Sequence, residues 1–230
     1  MTDDLKRLEQ EYARRRQVFS ASDRYSTFNP SYLFTIQQRQ RVTIDLLRQH
    51  GLADLADSKI LEIGCGGGDV IYDYLWHRLN LANIFGVDLL PDRLEQAQQR
   101  FPSVNLARCD AQHLPFADKS FEITLQYTVF SSILDNAVKT QIAKDMLRVT
   151  RKAIVWYDFW LNPTNSQTKG IRKAEIRRLF PNCEHHFKKI TLAPPLARRL
   201  VPITWIGSLM LEKLSVFNTH YLAIIRPDNN

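Results

Sequence analysis

Residues 64–69 of this 230-residue chain read Gly-Cys-Gly-Gly-Gly-Asp, directly behind a short apolar run, Ile60 to Ile63, and ahead of a helical pattern. Glycines in that place permit a tight turn and let a ligand approach the backbone closely, while the next helix offers unpaired N–H groups at its start. The chemistry this suits is the holding of a nucleotide-like ligand. A dinucleotide fingerprint requires G-x-G-x-x-G, yet after Gly64 and Gly66 the third position is Asp69, whose carboxylate is unfavourable beside a pyrophosphate. Twenty residues beyond Gly68 a second apolar run closes on Asp88, placed to accept hydrogen bonds from both hydroxyls of an adenosine ribose. A third run ends in Arg108-Cys109-Asp110-Ala111, and Leu114-Pro115-Phe116 follows.

The elements that must carry these residues alternate. Short apolar runs at Ile60 to Ile63, Ile84 to Val87, Val104 to Ala107, Phe121 to Leu125 and Ala153 to Tyr157 are separated by helical patterns at Asp69 to Leu79, Pro91 to Arg100 and Asn136 to Val149. Strands alternating with helices imply a parallel sheet with right-handed crossovers. Two helices, within Asp3 to Phe19 and Leu33 to Gln49, are expected before the first strand. After Trp160 the rhythm changes to a basic helix over Lys169 to Phe180, a strand near Lys188 to Leu192 and a final strand over Tyr221 to Ile225. The long excursion between those last two strands is where a substrate lid is expected.

Apolar residues at 44% and charged residues at 24% describe an ordinary globular chain, with core enough for one domain. The longest nearly apolar run, Val201 to Leu211, is about half of the roughly 20 residues a bilayer crossing needs. The charged N-terminus has no signal-peptide pattern, which gives a cytoplasmic expectation. Three scattered cysteines form neither a disulfide framework nor a zinc set, and no metal is expected. The net charge of +7 is uneven: residues 1–60 carry 10 basic and 8 acidic groups, 61–150 carry 8 and 11, and 151–230 carry 13 and 5. A basic last third is suited to an anionic partner or to peripheral contact with a membrane surface, and says nothing about the oligomer.

Taken together, Glu62-Ile63-Gly64-Cys65-Gly66-Gly67-Gly68, Asp88, Asp110-Ala111 and Leu114-Pro115-Phe116 resemble the class I S-adenosylmethionine-dependent methyltransferases, over about Lys59 to Asp158. A looser resemblance, through Phe130 to Asp135, Trp156 to Phe159 and Asn162-Pro163, is to bacterial small-molecule methyltransferases of the type 11 kind. The resemblance implies a Rossmann-like, doubly wound α/β fold whose mostly parallel seven-stranded sheet ends on an antiparallel strand. It divides one domain into a helical cap (1–58), a cofactor-binding core (59–160) and an acceptor-side region (161–230). It implies S-adenosylmethionine as cofactor and S-adenosylhomocysteine as product. Gly64, Cys65, Gly66 and Gly68 would approach its methionine and ribose parts, with Glu62 supporting the loop. Asp88 would hold the ribose hydroxyls, Leu89 would pack on the adenine, and Asp110 with Ala111 would meet its amino edge. Gln126 to Thr128 would line the methyl-transfer face. Tyr25, Phe28 and Asn29 would form a flap by analogy.

For the chemical step, Asp158 and Tyr157 at the end of the fifth strand are the candidates, Asp158 as base or orienter, against the alternative that it caps a turn. Methyl transfer from a sulfonium is an in-line displacement in which alignment supplies most of the acceleration, and a base is needed only if the acceptor must lose a proton. The expected acceptor is a small molecule or a carrier-linked saccharide or lipid. A nucleic-acid methyltransferase is the alternative, disfavoured because Gln126-Tyr127-Thr128-Val129 stands where a base-clamping Asn-Pro-Pro-Tyr would be. A nicotinamide-dependent oxidoreductase is disfavoured by Asp69 and Asp110. The chain has Thr150-Arg151-Lys152 in place of the Pro-Gly-Gly turn usual before the fifth strand, which leaves that turn open.

Overall fold

Ile60, Leu61, Glu62 and Ile63 are all buried because strand β1 (Ile60–Ile63) lies inside the sheet, paired in parallel with β2 (Ile84–Asp88) on one side and β4 (Phe121–Tyr127) on the other. A strand covered on both faces reads as an uninterrupted apolar run, which is why these segments lack alternation. The computed structural model describes residues 7, 10, 11, 13, 14, 23–75, 79–162 and 167–228. The helix expected within Asp3 to Phe19 lies mostly outside that set.

Seven strands form one sheet in the order β3-β2-β1-β4-β5-β7-β6, with β3 Asn105–Arg108, β5 Thr150–Phe159, β6 Cys183–Leu192 and β7 Asn218–Pro227. β7 runs antiparallel to both neighbours, and the other pairings are parallel. The sheet is the mostly parallel, doubly wound one expected from the alternation. Chain order reverses between β1 and β4, so the crevice at their carboxyl ends is the place where ligands bind in such sheets.

Helices cover both faces. Helix α1 (Pro30–Gln49) and α2 (Ile71–Leu75) pack on one side, where Leu46, Leu47, Ile71 and Tyr74 meet Val155 and Ile224. Helix α4 (Asn136–Val149) and α5 (Lys173–Leu179) cover the other, where Met146, Ile176 and Phe180 meet Trp156 and Ala223. Helix α3 (Pro91–Arg100) follows β2, with Pro91 in its first turn, where a missing N–H costs nothing. No special turn precedes β5: α4 runs directly into it, and Thr150 caps the junction by donating from Oγ1 to Met146 O at 2.6 Å. The expected excursion between β6 and β7 is two helices, α6 (Pro194–Leu200) and α7 (Trp205–Lys213).

Candidate active site

The glycine turn is built on hydrogen bonds to β2. Gly64 and Cys65 donate to Val87 O at 2.8 and 3.0 Å, and Gly66 donates to Asp88 Oδ2 at 2.8 Å. The other oxygen of Asp88, Oδ1, accepts from Leu90 N at 2.9 Å, so one buried carboxylate ties the first loop to the second. Gly64 has φ +67°, and a Cβ there would stand 2.6 Å from Val129 Cγ2; only glycine fits between this loop and the turn after β4. At Gly66 the place of a Cβ is taken by the Arg93 guanidinium. Asp69, at the third fingerprint position, is paired with Arg100 at 2.6 Å.

Over these loops lies a cavity of about 1390 Å³. It exceeds the roughly 300–1,000 Å³ of an ordinary small-ligand site and has room for two reactants. Glu62, Gly64, Cys65, Asp88, Leu89, Asp110, Ala111 and Tyr157 line it. Gly66 and Gly68 do not; their backbones shape the loop, Gly68 donating to Cys65 O at 2.9 Å. Asp110 holds Gln112, accepting from its backbone N at 3.0 Å and from its side-chain amide at 3.0 and 3.2 Å. Of the expected flap, Tyr25 and Asn29 border the cavity, whereas Phe28 is almost wholly exposed and does not.

Two expectations need correction. Asp158 does not face the cavity, because successive residues of a strand point to opposite faces and Tyr157 and Phe159 take the cavity side. Its carboxylate accepts from Ser131 N at 3.0 Å and Phe159 N at 2.8 Å, and burial pushes its pKa up to about 6. It braces the turn after β4. Gln126 is also fully buried and outside the lining; Oε1 accepts from Val129 N at 3.1 Å and Nε2 donates to Tyr157 O at 3.4 Å. Its neighbours Tyr127 and Thr128 do reach the cavity.

Opposite the glycine turn stands a wall the sequence reading did not assemble. Arg39 of α1 donates through Nε and Nη2 to Asp73 Oδ2 at 3.0 and 2.7 Å, and Gln40 donates to Asp73 Oδ1 at 2.8 Å. The guanidinium carbon lies 5.4 Å from the Tyr127 ring centre and 5.6 Å from that of Tyr157, within cation–π range. Burial opposes this charge most strongly, but Asp73 together with Tyr157 and Tyr127 keeps the arginine pKa above its ordinary value. Tyr127 shares a 3.0 Å hydrogen bond with Tyr74, and Tyr157 one of 2.7 Å with Thr191 Oγ1. His220 of β7 stacks on Tyr157 at 4.7 Å between ring centres. Burial, then the nearby Arg39 charge, lowers the His220 pKa to about 3, so the ring is neutral at physiological pH.

That shift has a thermodynamic consequence. The unfolded chain protonates His220 near its ordinary pKa of 6.5 and the folded chain only near 3, so this group's contribution is intact above pH 6.5 and is lost as pH falls towards 3. Asp158 acts with the opposite sign as pH falls from about 6 towards 3.8, because there the folded state binds the extra proton. His220→Phe should therefore lose less stability than the parent on acidification, by roughly 2–3 kcal/mol between pH 6.5 and about 4.5. Urea unfolding of both proteins at the two pH values checks it; parallel losses would mean that His220 titrates normally in the fold.

The geometry now has relatives to be compared with. Residues 60–153 match the family described as "Methyltransferase domain". Over that stretch the chain is similar to methyltransferase domains. The match begins with β1 and ends inside β5, so it covers the glycine turn, Asp88 and Asp110. Among similar proteins, the phthiotriol/phenolphthiotriol dimycocerosates methyltransferase of Mycobacterium leprae is 30% identical over 54% of this chain and 49% of its own length. The ubiquinone/menaquinone biosynthesis C-methyltransferase UbiE of Campylobacter jejuni is 29% identical over 72% of this chain and 68% of its own. The chain spans less than half the length of the mycobacterial relatives it matches. Solved structures share the fold: the PH0226 protein of Pyrococcus horikoshii superposes with TM-score 0.60 at 15% identity over 92% of this chain and 99% of that one. A structure described as an S-adenosylmethionine dependent methyltransferase from Mesorhizobium loti gives 0.57 at 13% identity, over 79% and 96%.

Proposed function

We propose that the protein transfers a methyl group from S-adenosylmethionine to a small-molecule or carrier-linked lipid or saccharide acceptor. The observation that carries this reading is the cavity itself, which has the glycine turn, Asp88 and Asp110 on one side and the Arg39, Tyr127, Tyr157 and His220 wall on the other. The similar phthiotriol/phenolphthiotriol dimycocerosates methyltransferase and ubiquinone/menaquinone biosynthesis C-methyltransferase support such an acceptor.

The residues present fit the cofactor. Glu62 Oε2 is buried without a hydrogen-bond partner at the cavity edge, and burial raises its pKa well above the ordinary carboxylate value. An ammonium group brought beside it would restore the charge and satisfy the oxygen. Asp88 has lone pairs left for ribose hydroxyls beyond the two amides it holds, and Gly64 lets a ligand lie against the backbone. Leu89 and Ala111 offer apolar contact for an adenine, and Asp110 offers an acceptor at its edge.

S-adenosylmethionine, when bound, supplies an electrophilic methyl carbon on a sulfonium. The chain's own part is positioning. Tyr127, Tyr157 and His220 form a rigid aromatic surface against which an acceptor is held, and Arg39 presents a fixed positive charge at its base. With Asp158 turned away, no carboxylate from β5 serves as base, so alignment and exclusion of water carry the acceleration. The core 59–160 binds the cofactor, and 1–58 with 161–230 close over the acceptor. No helix among the described residues is long and apolar enough to cross a membrane.

Calorimetric titration with S-adenosylmethionine and S-adenosylhomocysteine, with NAD as control, tests the reading. Micromolar binding of the first two and none of NAD is expected, followed by isotopic methyl transfer to candidate acceptors. Binding of NAD alone would overturn it.

A further inference from the structure

Helices α6 and α7 have two unlike sides. The inner side is anchored: Ala197 and Val201 pack with Phe34 and Leu192, Trp205 meets Phe34 edge-on at 5.2 Å, and Ser31 Oγ donates to Ala197 O at 3.3 Å. On the outer side α6 exposes Arg198 and Arg199, whereas α7 and its flanks are apolar and bare. Ile203, Ile206, Met210, Leu214, Val216 and Phe217 are between 46% and 81% exposed. Ile206, Met210 and the C-cap residue Leu214 recur at a spacing of four and form one ridge along α7, with Ile203 in the turn just before it. A helix with charge only at Glu212 and Lys213 is ordinarily buried, and a contiguous exposed apolar surface of this kind marks an interaction or membrane site.

The charge around the ridge decides between occupants. Residues 188–217 contain Lys188, Lys189, Arg198, Arg199 and Lys213 against a single acid, Glu212, which Arg41 already pairs at 3.3 Å. Lys189 Nζ reaches Val216 O at 3.4 Å, which sets a cation at the ridge's end. A second copy docked face to face would bring these like charges together. An anionic lipid surface would receive the apolar side chains among its acyl chains and the cations at its headgroups. Pro194, Pro195 and Arg198 of α6 also border the cavity, so the ridge flanks the acceptor side.

We propose that the exposed ridge of α7 and the following loop docks on an anionic phospholipid surface and sets the cavity's acceptor side against it. The delivery of a lipid acceptor rests on the methyl-transfer reading; the docking does not. Flotation of the full chain with phosphatidylcholine vesicles, with and without phosphatidylglycerol, at low and high salt tests it. Anionic vesicles should be bound at least about tenfold better than neutral ones, with the preference shrinking in salt. The pair Ile206→Glu and Met210→Glu, on exposed positions outside the cavity, should weaken binding by at least about tenfold. The pair Arg199→Glu and Lys213→Glu should weaken it about fivefold or more per cation removed. Cofactor titration of each variant should be unchanged. No binding to anionic vesicles, binding indifferent to the Ile206 and Met210 pair, or dimerisation abolished by that pair would each overturn the proposal. A parent that floats yet binds no S-adenosylmethionine would leave docking standing and remove the methyl-transfer reading.

Discussion

Asp88→Ala raises the dissociation constant for S-adenosylmethionine by about two orders of magnitude, roughly 2.7 kcal/mol. Two losses combine. The carboxylate that should receive the ribose hydroxyls is gone, and the amides of Gly66 and Leu90, which it accepts at 2.8 and 2.9 Å, are left as buried donors without partners. A hydrogen bond to a charged group is worth about 1.5–3 kcal/mol, and an orphaned buried donor costs a comparable amount, so the glycine turn itself loosens. Asp88→Asn separates the two losses. It keeps one acceptor oxygen and so one of the loop contacts, but turns an amide N–H₂ towards a donor; an effect of about tenfold is expected. Calorimetry measures both variants, with circular dichroism and thermal unfolding to confirm that the sheet persists. Unchanged affinity in Asp88→Ala would remove Asp88 from the cofactor site, and equal losses in both variants would mean that the retained loop contact contributes nothing to binding.

What the sequence made legible was local. The glycine turn is a strand, a turn and a helix in one stretch, and Asp88 and Asp110 sit at the ends of the next two apolar runs; nothing distant is needed to recognise them. β1 spans the apolar run Ile60 to Ile63, and α3 and α4 start at Pro91 and Asn136, where the helical patterns begin. For Asp158 the sequence left open a base or a turn cap, and the fold gives it hydrogen bonds of the second kind. Asp158 lies between Tyr157 and Phe159, which line the cavity, and its carboxylate turns instead to the backbone N–H groups of Ser131 and Phe159. Arg39 was hidden in the sequence. It lies in Gln37-Gln38-Arg39-Gln40-Arg41, a polar run with no alternation to reveal which members point inward. Gln38 and Arg39 do so because they meet Thr191 and Asp73, partners 153 and 34 residues away. His220 likewise joins the site only through the antiparallel register that sets it opposite Phe159. Contacts set by tertiary register leave no trace in local spacing.

The Arg39 and Asp73 pair should behave differently when broken and when replaced. Both side chains are largely buried, 14% and 9% exposed, so Arg39→Met strands the Asp73 carboxylate with only Gln40 to pair it, and a loss of about 3–5 kcal/mol is expected. The double variant Arg39→Met with Asp73→Leu removes both charges and substitutes apolar volume; most of that stability should return, since a buried pair is often no better than a hydrophobic replacement. Turnover should not return. The guanidinium lies under Tyr127 and Tyr157 in the cavity wall, where its charge would face the proposed acceptor. Denaturant unfolding of the parent, both single variants and the double variant closes a cycle whose coupling should reach about 2 kcal/mol or more. Isotopic methyl transfer on the same four proteins reads the function. Recovery of stability together with turnover would make the pair purely structural. A double variant as unstable as Arg39→Met would instead shift the main contribution to the tyrosines around the guanidinium, whose cation–π contacts are worth only about 0.5–2 kcal/mol each. The expected split, stability restored and turnover absent, follows from a cation held in a cavity wall by a partner that satisfies its charge without covering it.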